Sequence, residues 1–184
     1  MNQALNQDAQ GAPLTKKVKI SEIDADTSKT LAVDAAECEA IKSHLDLLAL
    51  ENLDFTYSLR LGAGGRVHVS GRLKAEAVQT CVVTLEPVPA VIDVPVETEF
   101  WPASMIADLE KKAEDPSQAG LIDWPEAIED EQIDLGPMVY GTLATSLEPY
   151  PRKTGASFHW SQGDLEEQMR ENGPFAGLKR LKDS

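Results

Sequence analysis

The sequence predicts an α+β fold, with an antiparallel, barrel-like β-sheet packed by two or three helices. Three observations carry this. Leu53, Phe55, Tyr57, Leu59 and Leu61 alternate with polar residues up to Gly62-Ala63-Gly64-Gly65. Val67, Val69, Leu73, Ala75 and Ala77 then alternate with His68, Ser70, Arg72, Lys74 and Glu76. Period two on both sides of a glycine-rich break is the pattern of a long hairpin with one buried face. Helical spacing shows in two places, after Asp34 and after Asp134.

The elements follow in order. Residues 1–15 are polar, small and aperiodic, and read as a disordered tail. Residues 16–151 read as one α+β domain. Val18 and Ile20 alternate with Lys17, Lys19 and Ser21 as a first short strand. Asp34 and Glu37 form a capping-box signature. Cys38, Ile41, Leu45 and Leu48 then share the inward face of a helix over roughly 35–48. The hairpin comes next, with His68 on its polar, solvated side. The sheet is expected to run on through Cys81, Val83 and Leu85 on one face, until Pro87 and Pro89 end the ladder. A further strand places Ile92, Val94, Val96 and Phe100 inward and Asp93, Glu97 and Glu99 outward; Pro95 marks it as an edge or a bulge.

Residues 108–134 hold ten Asp or Glu against two Lys and read as a long acidic loop with partial helix. Asp134 caps a helix with Leu135, Met138, Val139, Thr142, Leu143 and Leu147 inward. In it, Gly136 and Gly141 allow close approach of backbone to the sheet. Pro149 and Pro151 stop it. Residues 152–184 read as an extended tail with a short terminal amphipathic segment.

Thirty-one acidic residues against 17 basic ones give a formal charge of −14. That balance opposes a broad nucleic-acid surface, because phosphates would be repelled over most of the exterior. No secretory h-region or apolar run of membrane-spanning length occurs, which predicts a cytoplasmic protein with reduced cysteines. The two cysteines, Cys38 and Cys81, lie far apart, and His44, His68 and His159 show no ligand spacing. No HExxH, CxxC, GxSxG, Walker loop or GxGxxG is present. Cys81 shares its expected strand face with Val83 and Leu85, where apolar surroundings would raise its pKa and leave it inert. The expectation is therefore a non-enzymatic protein with no cofactor, no metal and no small-molecule substrate. A thiol enzyme using Cys81 is the weakest alternative.

The order of Cys81-x-x-Thr84-Leu85-Glu86-Pro87-Val88, the acidic stretch, Ile133-Asp134-Leu135-Gly136, Leu147-Glu148-Pro149-Tyr150-Pro151 and Gly173-Pro174-Phe175-Ala176-Gly177-Leu178 resembles the YceD family. These are the large ribosomal RNA subunit accumulation proteins, and the likeness covers roughly residues 14–182. It implies a part in accumulation or processing of large-subunit ribosomal RNA. Many members carry Cys-x-x-Cys-Leu at this place, which suggests a metal site. Here Thr84 stands at the second cysteine position and offers no thiolate for Zn²⁺, so a metal role is not carried over.

The partner expected is a basic ribosomal protein or a pre-ribosomal large-subunit particle. Candidate contacts are Trp101 and Trp124 as apolar anchors, Glu129, Asp130 and Glu131 as acidic groups, and Phe175 and Leu178 in the tail. Direct RNA contact is the alternative. It would use Lys16, Lys17 and Lys19, Arg66, Arg72 and Lys74, and Lys179, Arg180 and Lys182.

Overall fold

The computed structural model describes residues 13–23, 27–113 and 124–157. The chain divides into two units, Met1–Lys153 and Thr154–Ser184. The second is described only over residues 154–157, so Phe175, Leu178 and the basic cluster at 179–182 lie outside the described residues.

The first unit is α+β, with three α-helices among the described residues. Its strands are β1 (Lys17–Lys19), β2 (Lys29–Leu31), β3 (Ala49–Leu61), β4 (Val67–Thr80), β5 (Pro87–Pro102), β6 (Glu126–Ile128) and β7 (Gln132–Asp134). Its helices are α1 (Ala35–His44), α2 (Ala103–Ala113) and α3 (Leu135–Ser146). Five strands form one sheet in the order β2-β3-β4-β5-β6; β1 and β7 pair separately. Pairing is antiparallel throughout except β5 with β6, which is parallel. The strand order has two ends, so the barrel-like closure expected from the run of strands is not found. Four three-residue strands, β1, β2, β6 and β7, complete the sheets at their margins.

The β3–β4 hairpin forms as its alternation predicts. Gly64 and Gly65 take φ of 75° and 79° in the connecting turn, a region open to glycine at little cost. Leu53, Phe55, Tyr57, Leu59, Val67, Val69, Leu73, Ala75 and Ala77 are buried; Leu61 at the tip is half exposed. Ile92, Val96 and Phe100 of β5 join the same core. Pro95 sits in β5, whose outer edge is paired by β6 only from Phe100 to Pro102. A residue without an N–H is tolerated there.

Helix α1 starts as predicted. Asp34 accepts from the Glu37 N–H at 2.8 Å, and Glu37 accepts from the Asp34 N–H at 2.9 Å. It ends earlier than expected, at His44. Asp46 turns the backbone to φ 52°, which shifts the phase, so Leu47 is buried and Leu48 half exposed. Helix α3 is capped by Asp134, which accepts from Gly136 N–H at 2.9 Å and from Lys16 N–H at 2.7 Å. Gly136 does admit a close backbone, but it is that of Leu14–Thr15 and not the sheet. Gly141 faces open space. Leu14 falls within the stretch read as a tail, yet it is 1% exposed.

The acidic stretch 108–134 is not a single loop. It contains the end of α2 and the strands β6 and β7. These short strands are held from afar, β6 by β5 and β7 by β1.

Candidate functional site

Two features stand out. The first is a groove at the far end of β5. Alternation along β5 turns Phe100 inward, while Glu97, Glu99 and Trp101 share the opposite face. His68 lies across the ladder from Glu99 on that face. Trp124 and Pro125, leading into β6, complete a cavity of about 330 Å³ with Glu97, Thr98, Glu99, Trp101 and His68.

Both tryptophans predicted as anchors are thus brought together. Trp101 is half-buried, and its Nε1 donates to Glu99 Oε2 at 2.8 Å. The Arg66 guanidinium lies over its ring, 4.0 Å from the centroid. The Arg66 Nε is buried with no hydrogen-bond partner, so the aromatic face is what holds it. Trp124 is 49% exposed. Glu97 and Glu99, expected to face outward, form the acidic wall of this groove. The signal that could have found them is their shared parity with Trp101.

The acidic trio at 129–131 lies on the other side of β6. Asp130 and Glu131 take φ of 50° and 57°, and Glu129 exchanges backbone hydrogen bonds with Gln132 at 3.1 and 2.8 Å. The trio is therefore a tight turn joining β6 to β7. Glu129 also lines a second cavity, of about 400 Å³, with Glu126, Phe100, Lys17, Asp134 and Pro137.

Three of the basic residues named for RNA contact are engaged within the fold. Lys16 Nζ binds Glu37 at 2.7 Å, Arg72 Nε binds Asp93 at 2.5 Å, and Arg66 stacks on Trp101. Lys16 and Arg72 thus each have a carboxylate counter-charge.

The second feature is the turn at residues 81–86, and here the expected strand is overturned. Only Cys81 of its proposed inward face is fully buried. Leu85 adopts φ 60° and is 76% exposed. Backbone bonds close the turn, with Leu85 N–H donating to the Cys81 carbonyl at 3.0 Å and Cys81 N–H to the Glu86 carbonyl at 2.9 Å, and the sulfur of Cys81 sits at its centre. Its Sγ accepts backbone N–H groups from Val83 at 3.5 Å, Thr84 at 3.4 Å and Lys153 at 3.4 Å. The Val82 N–H donates to the Pro151 carbonyl at 2.9 Å, and Lys153 Nζ pairs with Glu86 at 2.8 Å. The sulfur, the Val82–Pro151 bond and the Lys153–Glu86 pair together tie the turn to the chain after α3.

The expectation of a raised Cys81 pKa is likewise overturned. The Lys153 N–H, then the Thr84 hydroxyl and N–H, stabilise the thiolate and, outweighing burial and with a small further contribution from the Val83 N–H, lower its pKa to about 6. Cys38 behaves oppositely: burial first, then Glu37 and Asp34, push its thiol up from 9.0. The Cys81 thiolate is enclosed, so its lone pairs serve the backbone. The residues around it do not fit Zn²⁺, since Thr84 supplies a hydroxyl, and no cluster of three His, Cys, Asp or Glu occurs among the described residues.

Thiolate absorbance should therefore rise in two separated steps, one near pH 6 that Cys81→Ser removes. The linkage has a definite sign. The folded pKa lies below the ordinary 9.0, so the unfolded state binds more protons between the two values. Stability from this group is complete above about pH 9 and lost as pH falls through about 6. The difference in stability between wild type and Cys81→Ser should rise across that window in urea titrations; a flat difference would refute the thiolate.

Among the described residues, no helix is long and apolar enough to cross a membrane. A family model described as large ribosomal RNA subunit accumulation protein YceD matches residues 69–182, more than half of the chain. No curated protein and no solved structure matches it.

Proposed function

Since the chain belongs to the YceD family of large ribosomal RNA subunit accumulation proteins, we propose that it supports accumulation or processing of that RNA by binding a basic ribosomal protein. The observation that supports this is the groove of Trp101 and Trp124 walled by Glu97 and Glu99. Aromatic faces bind cations, and adjacent carboxylates give a lysine or arginine its counter-charge. The net charge of −14 adds long-range attraction for a basic partner, which speeds encounter and is screened by salt. The same groove would repel a phosphate. Residues 175–178 are proposed as a further contact, and the setting as the cytoplasm. The Cys81 sulfur serves the fold in this reading, with no catalytic step assigned to it.

The test is sedimentation of tagged protein with ribosomal particles, with and without nuclease, followed by identification of what remains bound. A basic large-subunit protein retained after nuclease is the expected result. Loss of all binding with nuclease, together with tight, steeply salt-dependent binding to large-subunit RNA fragments, would replace it with the RNA reading.

A further inference from the structure

The outer face of the sheet carries a second, apolar depression. Ala49, Val78, Pro89 and Val91 line a cavity of about 170 Å³ together with Glu51 and Glu76, with Ala77 and Ala90 in the ladder between them. Register sets these side chains in two rows. Ala49, Val78 and Pro89 lie side by side, and so do Glu51, Glu76 and Val91. Their chain neighbours Leu50, Ala77 and Ile92 are buried in the core, so the rows point to the other face. Val91 is 81% exposed there. Glu76 lies roughly 26 Å along β4 from His68 at the ordinary rise of a strand, so the depression is separate from the tryptophan groove.

Its charge is unbalanced. Glu51 and Glu76 stand directly opposite each other in the ladder, and like charges so placed repel. Among the described residues neither has an ion-pair partner. Lys74, the next outward residue on β4, lies in register between Asp54 and Asp93. No basic side chain lines the cavity among the described residues. We propose that this face docks an amphipathic helix of a partner protein. Its apolar residues seat over Val78, Pro89 and Val91, and its lysines or arginines meet Glu51 and Glu76. The inference goes beyond the groove and does not rest on it.

A helix suits this surface better than a strand. β4 is hydrogen-bonded to β3 on one side and β5 on the other, so it offers side chains and no free backbone. The outer edge of β5 is interrupted by Pro87, Pro89 and Pro95, which remove donors. A sheet face is covered instead by the apolar stripe of a helix laid across it.

Charge selects the occupant. A second copy docked face to face about a two-fold axis would repeat the Glu51–Glu76 pair and set both pairs against each other. It would also join two chains of −14 each. An anionic lipid surface is repelled by the same glutamates. A cationic helix removes their repulsion on binding, so a cost borne by the free protein becomes a gain for the complex.

The test uses the full chain and blocked, alanine-rich helical peptides. The parent has leucines at i and i+4 and arginines at i+3 and i+7, so that all four share one face. Its twin has the same composition with the arginines moved to i+2 and i+6, on the far side. Binding is read from the methyl resonances of Val78 and Val91. The parent is expected to shift both, and the twin to bind about tenfold more weakly. Val91→Ser, at an exposed position, should weaken the parent about fivefold. Glu51→Gln/Glu76→Gln should weaken it about tenfold and yet raise the urea midpoint of the free chain. A merely structural role for the two glutamates would lower that midpoint, and that result overturns the proposal. So does equal binding of parent and twin, unchanged binding by the glutamine variant, or no binding by any peptide. A dimer of the free chain that Val91→Ser dissolves would assign the face to a second copy. Binding that appears only in Phe175→Ala/Leu178→Ala would assign it to the chain's own end. Either outcome also overturns the proposal.

Discussion

Gly71→Ala is expected to destabilise the protein by about 3 kcal/mol, more than a single surface change can reach, through overpacking. Gly71 lies in the middle of β4, between Tyr57 on β3 and Val96 on β5. A Cβ there would sit 2.5 Å from the Thr56 carbonyl oxygen and 2.8 and 2.9 Å from the Phe55 ring. Phe55 is completely buried and stacks on Tyr57, with centroids 5.3 Å apart. Its ring occupies the space that a side chain at 71 would need. Neither neighbour can yield cheaply: one is ladder backbone and the other is fixed by the core.

The pair is therefore coupled, and a double-mutant cycle tests this directly. Phe55→Ala alone should cost about 3–5 kcal/mol, as a large buried aromatic lost to a cavity. In the double variant the clash with the ring is gone while that with the Thr56 carbonyl remains, so the combined loss should fall short of the sum by about 1–2 kcal/mol. Urea unfolding at fixed pH measures all four corners. Strict additivity would mean that Phe55 does not fill the glycine gap.

Gly71 also shows where sequence reading stops. The hairpin was legible because its alternation is local: residues 53–61 and 67–77 each report their own face. The Asp34–Glu37 box and the Asp134 cap were legible for the same reason, as donor and acceptor lie within three residues. That a phenylalanine covers Gly71 depends on register across two strands, which no local pattern states. The turn at residues 81–86 was misread for a related reason. Val82, Val83 and Leu85 are strand formers, but the turn is set partly by the Lys153 N–H, 72 residues away. β6 and β7 were hidden because three-residue strands carry no period and exist through partners far off in sequence. At the site, the two tryptophans were legible by type. Their acidic wall was not, because outward glutamates on a strand look alike whether they face solvent or a groove.

The largest effect on partner binding is expected from Trp124→Ala combined with Glu97→Gln and Glu99→Gln. Trp124 is the cleaner probe of the two tryptophans. Trp101 is engaged by Arg66 and by Glu99, so removing it also loosens the sheet end. Trp124 is 49% exposed, and truncating it should cost the fold little. A tryptophan that becomes fully covered at an interface contributes about 2 kcal/mol or more, roughly thirtyfold in affinity. The two amide substitutions keep shape and remove charge. They should act chiefly on the association rate and flatten its dependence on salt, since long-range attraction is screened over about 10 Å at 0.1 M. The three changes therefore separate in kinetics: the tryptophan should speed dissociation, and the glutamates should slow association. Surface-immobilised variants, with the basic protein recovered from sedimentation as analyte at two salt concentrations, give both rates. Wild-type affinity and an unchanged salt slope in the triple variant would remove this groove from the binding surface. Thermal unfolding of the same variants, expected to match wild type, keeps that outcome free of any folding defect.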